Sequence, residues 1–182
     1  VHTIEKPNVA ELTDAYRQAI SHFSTGVAVI STRTEAGPAG MTASAVASLS
    51  IDPLQLLVCI RTDLPTRSAI EEAGQFAVNI LGDGHEQLAR HFATPRPDKF
   101  ATVDLREGYE VPVLSDAIAH FVCKVGAALP GGDHTIIIGD VIDCGHTSGA
   151  DPLVYFSRKF SSLCGPTAHA RHAYDLHLEL MM

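Results

Sequence analysis

"GGDHTIIIGDV" (131–141) decides how this chain folds. Thr135 to Ile138 are consecutive β-branched residues, the composition of a buried strand. Gly131-Gly132-Asp133 just before them signals a tight turn. Upstream, "IAHFVCKVGAAL" (118–129) reads as a second strand of similar length. Two long strands joined by so short a connection are antiparallel neighbours. His134 falls between turn and strand, which puts an imidazole at a hairpin tip.

Working outward, strand patterns recur at "GVAVISTR" (26–33), "LQLLVCI" (54–60), "QFAVNIL" (75–81) and "PLVYFSRKF" (152–160). "MTASAVASLSIDP" (41–53) is apolar enough for a strand, yet nearly every side chain is small or hydroxylic. "TEAGPAG" (34–40) reads as a turn cluster. Three short helices are expected. Asn8 and Glu11 form a capping box ahead of apolar residues Leu12, Ala15, Tyr16, Ala19, Ile20 and Phe23 at helical spacing, with Gly26 as the stop. Pro65 opens "PTRSAIEEA" and Gly74 closes it. "GHEQLARHFA" (84–93) is the third. Residues 94–117 are polar and aperiodic, an extended surface excursion. About six strands against three helices, in no regular alternation, predict an antiparallel barrel rather than a doubly wound sheet.

The chain has 182 residues, which suits one domain. The domain is expected over 1–165, with 166–182 as a C-terminal tail. Net charge is −8, from 13 basic and 21 acidic residues, which argues against nucleic acid or an anionic membrane as the main partner. The N-terminal stretch lacks an apolar core of signal-peptide length, and Asp52-Pro53 interrupts the most apolar run. Cys59, Cys123, Cys144 and Cys164 form no CxxC pair and read as reduced core thiols in a cytoplasmic protein. His169, His172 and His177 read as a solvated tail, and no metal site is expected. Neither a dinucleotide-binding glycine fingerprint nor a P-loop nor a serine-nucleophile elbow is present.

The informative chemistry lies in 41–50. On one strand, even spacing puts Thr42, Ser44, Ser48 and Ser50 on a common face. Such a face leaves room for a planar ligand and offers donors to ring carbonyls and phosphate oxygens. It also suits a tight β–β contact with solvated hydroxyls, and the residues alone leave both readings open. His134 is similarly open between a ligand contact and a local turn hydrogen bond.

"FSTGVAVISTR", "GMTASAVASLSIDPLQLLVCI", "FAVNIL", "DKFATVDLREG", "GGDHTIIIGDV" and "DPLVYFSRKF" occur in this order. Together they resemble the short-chain flavin reductases that serve two-component flavin-dependent monooxygenases, from about Tyr16 to Leu163. The resemblance implies a six-stranded, Greek-key split β-barrel that binds FMN or FAD at a homodimer interface. NADH, or alternatively NADPH, would reduce the flavin, which then passes to a partner monooxygenase. Met41, Thr42, Ala43 and Ser44 would border the isoalloxazine ring. Ser48, Leu49 and Ser50 would approach the ribityl chain and phosphate, with Ile60, Arg61 and Thr62 completing the phosphate side. Thr66 and Arg67 would add backbone N–H groups and a cation at a helix start. His134, Phe156, Ser157, Lys159 and Phe160 would meet the nicotinamide nucleotide, with His134 positioning it for hydride transfer. A second function compatible with 41–62 is tight FMN binding for electron transfer or sensing, without NADH turnover. A plain β-barrel interaction module is the third.

Overall fold

The computed structural model describes residues 8–163. The chain runs α1 (Val9–Ile20), β1 (Thr25–Gly26), β2 (Ala28–Thr34), β3 (Gly37–Ala43), β4 (Val46–Ile51), β5 (Leu54–Arg61), α2 (Pro65–Ala73), β6 (Gln75–Ile80), α3 (Glu86–Ala93), β7 (Ala119–Gly131), β8 (His134–His146), β9 (Leu153–Phe156) and β10 (Lys159–Ser162). The main sheet has seven strands in the order β3-β2-β6-β7-β8-β5-β4, and β1-β9-β10 form a second sheet. Every pairing is antiparallel. The main sheet thus has one strand more than expected.

One connection rolls the sheet. β3 and β4 are its two edges, yet only Ser44 and Ala45 separate them in sequence. Flat, the edges of seven strands would lie about 29 Å apart, whereas three Cα steps reach about 11 Å at most. The sheet must therefore curl until its edges meet at that corner, unpaired: a split barrel. The barrel is filled by Ile30, Val58, Ile60, Ile70, Phe76, Val78 and Ile137, all fully buried. Phe76 packs beneath Gly139, where an added Cβ would sit 2.6 Å from its ring.

The β7–β8 hairpin is as read, with Gly131 opposite His134 across Gly132-Asp133. Gly132 supplies the positive φ (70°) that the turn requires. The Asn8–Glu11 capping box closes reciprocally, and Gly74 caps α2 in the left-handed region.

Five expectations change. The 41–53 run is two strands, and "TEAGPAG" is mostly the start of β3, with only Glu35-Ala36 turning. "PLVYFSRKF" is a hairpin that reverses at Ser157-Arg158, both at positive φ (49° and 62°). α1 stops at Ile20, six residues before Gly26, which lies in β1. Finally, the 94–117 excursion is not only surface. Its Val111, Val113, Leu114 and Ala117 are buried. Ser31 Oγ donates to Pro112 O (2.5 Å), and Leu114 N donates to Asn79 Oδ1 (2.8 Å), so buried polar groups pin the excursion to the barrel.

The cysteines also divide. Burial pushes the Cys123 thiol up to about 12, as expected of a core residue, whereas Cys59 is half-buried and Cys144 exposed. Cys164 and the histidines of the tail lie outside the described residues.

Candidate active site at the split

Along β5, Leu56, Val58 and Ile60 point into the barrel. Gln55, Leu57 and Cys59 alternate with them and face outward. With Ser44, Ser48 and Ser50 they line a mainly apolar cleft of about 1100 Å3. Its other wall is the segment from α1 to β2 together with Tyr155 and Arg158. Among the residues lining it, the charged side chains are Arg17 and Arg158, and none is acidic. For a chain of net charge −8 that is a local reversal of sign.

The hydroxyls do not share one strand face. The corner at Ser44-Ala45 separates Thr42 from Ser48 and Ser50, and the Thr42 Oγ1 is spent on Ala89 O (2.6 Å). A register shift between Ser48 and Ser50 leaves Leu49 without a partner on β5 and exposed. Ala43 is buried and Met41 half-buried against the core. Thr42, Ala43, Ser44 and Phe160 instead line a neighbouring cavity of about 200 Å3, which shares Val27, Ser44 and Tyr155 with the large cleft.

Of the residues expected around phosphate and nicotinamide, Arg61, Thr62, Thr66, Arg67 and His134 lie outside the cleft lining. Arg61 pairs with His134 across β5 and β8. Thr62 N donates to Asp133 O (3.0 Å), and Arg67 Nε donates to Thr135 Oγ1 (3.3 Å). Thr66 is buried, and the Ile60 side chain is core, leaving only its backbone for a ligand. Both cations there already hold carboxylates: Arg61 with Asp63 and Arg67 with Glu71, each at 2.6 Å. His134 Nδ1 lies 2.8 Å from Asp133 Oδ1, and that contact holds the Asp133 carboxyl below its ordinary range.

Ser50 lies opposite Gln55, six residues from Arg61 along β5, hence about 20 Å away. Ser50 and the Arg61–Thr62 pair therefore cannot serve one phosphate within a chain, which corrects that expected arrangement. Phe156 is exposed and makes an edge contact with His22 (5.9 Å), and Lys159 is exposed on β10. Ser157 N donates to Ser21 O (2.7 Å), tying the β9–β10 turn to the end of α1. Arg17, Gln55 and Tyr155 were not anticipated. The alternation of β5 could have exposed Gln55; nothing in the local sequence marks the other two.

A split barrel with a nucleotide-sized, cation-edged apolar cleft defines a class of proteins fit to bind a planar, anionic ligand. The comparisons give the family: the flavin reductase like domain matches residues 20–163, and the chain belongs to it. It is 38% identical over 157 residues to the reductase component of 4-nitrophenol 4-monooxygenase/4-nitrocatechol 2-monooxygenase from Rhodococcus opacus, covering 85% of this chain and 84% of that one. It is 41% identical over 153 residues to a flavin reductase (NADH) of Kitasatospora aureofaciens, covering 81% and 80%. Among solved structures, the NADH:FAD oxidoreductase SgcE6 of Streptomyces globisporus C-1027, in complex with NAD and FAD fragments, superposes with a TM-score of 0.82 at 32% identity, covering 90% of this chain and 99% of that one.

Proposed function

We propose that this chain is an NADH-dependent flavin reductase supplying reduced flavin to a partner monooxygenase. The observation that carries the reading is the apolar cleft at the split, edged by hydroxyls and arginines, in a chain of this family. The net reaction converts NADH, a proton and oxidised flavin into NAD+ and reduced flavin. The hydride passes between two bound organic rings, so the protein's tasks are to stack them, exclude water and fix their polar ends. In this reading Ser44, Ser48 and Ser50 face the flavin. His134, its ring held through Nδ1 by Asp133, meets the nicotinamide nucleotide from the hairpin tip.

The reading includes a homodimer. α1 has an apolar face, yet none of its residues is buried. Leu12, Tyr16, Ile20 and the following Phe23 are all exposed. A helix of 12 residues is marginal alone in water, so this face wants a cover, and a second copy supplies one. A cytoplasmic setting, with its thiols reduced, completes the proposal. Among the described residues no helix is long and apolar enough to cross a membrane.

The test is steady-state oxidation of NADH and NADPH with FMN, FAD and riboflavin in turn. Flavin-dependent consumption of NADH supports the reading. Flavin binding with no oxidation of either nucleotide refutes it.

A further inference from the structure

We propose that Arg158, together with Arg17 of the same cleft lining, holds a phosphate of the bound nucleotide at the large cleft. The inference deepens the flavin reductase reading and rests on it for the identity of the ligand. Three observations carry it. The cleft is mainly apolar with neutral hydroxyls along it, and the charged side chains lining it are these two arginines. An anionic ligand with a large planar apolar part matches that surface, and the chain's net charge of −8 would otherwise repel it.

The second observation is backbone geometry. Ser157 and Arg158 both have positive φ, at 49° and 62°. Hairpin turns of this kind favour Asn-Gly, because side chains resist the left-handed region. An arginine in that region is costlier than a glycine, and the strain points to a task for its side chain. The bond from Ser157 N to Ser21 O (2.7 Å) seats the turn against the end of α1, the helix that carries Arg17.

The third is availability. Arg61 and Arg67, the cations expected at the phosphate, are held by Asp63 and Glu71. Arg17 has only an exposed contact to Asp14 at 3.5 Å, and Arg158 has no ion pair among the described residues. A guanidinium on an apolar rim can meet two phosphate oxygens at once.

Arg158→Gly relieves the backbone and removes the cation, so the variant keeps its fold; Arg158→Lys keeps the charge without the fork. Calorimetric titration with FMN, riboflavin and NADH is run on each at low and moderate salt. If the phosphate is the flavin's, Arg158→Gly binds FMN about tenfold more weakly, leaves riboflavin unchanged and shows a weaker salt dependence, with Arg158→Lys between. If it belongs to the dinucleotide, the same loss falls on NADH and spares FMN. Unchanged affinity for both FMN and NADH overturns the proposal and leaves Arg158 a turn residue. Binding is read without turnover. A protein that binds FMN through Arg158 yet never oxidises NADH would refute the reductase reading and not this one.

Discussion

Replacing Phe23 by alanine should dissociate the proposed dimer without unfolding the protomer. Phe23 follows α1 and is 70% exposed in the single chain. A phenylalanine side chain buries about 200 Å2 when covered, so its exposed part amounts to roughly 140 Å2. At about 25 cal/mol per Å2, covering that surface contributes roughly 3.5 kcal/mol, of which alanine would keep about 1. In a two-fold interface the loss occurs twice, about 5 kcal/mol per dimer, or three to four decades in Kd. The chain's own fold should tolerate the change, because little of this ring is buried within one chain. Sedimentation velocity across nanomolar to micromolar protein, with thermal melts alongside, reads both quantities. A Phe23→Ala dimer constant within tenfold of wild type would refute the reasoning and leave the apolar face of α1 to some other cover.

Ser50→Ala should weaken flavin binding three- to tenfold while leaving kcat at saturating flavin nearly unchanged, since a lost neutral hydrogen bond of about 1 kcal/mol acts before the chemical step. Titration of flavin fluorescence beside steady-state kinetics checks it, and an unchanged flavin Kd would remove Ser50 from the site. His134→Ala should lower kcat/KM for NADH about ten- to hundredfold and spare flavin affinity, a positioning loss of roughly 1–3 kcal/mol. Wild-type NADH dependence in the variant would reduce His134 to a turn residue. His120 is buried beside Tyr109, and burial followed by the charge of Arg106 lowers its pKa, while Asp143 opposes. The unfolded chain therefore takes up the proton more readily, so stability rises with pH. His120's contribution is complete above its unfolded value of about 6.5 and is lost as pH falls through the lowered folded one. His120→Gln should narrow the gap between melting temperatures at pH 5 and pH 8, and an unchanged gap would assign the pH dependence to other groups.

What the sequence made legible was local chemistry with a single physical cause. Gly132 had to supply a positive φ between two β-branched runs, so the β7–β8 hairpin could be read directly. Asn8 with Glu11, and Pro65 with Gly74, likewise marked their helix ends. Ser44-Ala45 left no such mark: small residues suit a strand and a corner equally, so the edge-to-edge connection that splits the barrel stayed hidden. Ser157-Arg158 turns without glycine or asparagine and reads as continuous strand. Val111, Val113, Leu114 and Ala117 are buried in a segment that the side chains of Ser31 and Asn79 pin to the barrel, a tertiary cause that periodicity cannot carry. The site divided in the same way. Arg61, Thr62, Arg67 and His134 meet because strand register brings them together. Ser50 parts from them because the same register sets it at the other end of β5.

The central claim is hydride transfer from NADH to a flavin held on this protein. Anaerobic stopped-flow mixing of the protein and flavin with NADH tests it most directly, following loss of flavin absorbance in the visible. Flavin reduction that is accelerated by the protein, saturates with NADH, and leaves the reduced flavin free to pass through a dialysis membrane is the predicted result. Flavin that stays tightly bound and oxidised in the presence of NADH or NADPH would contradict the account.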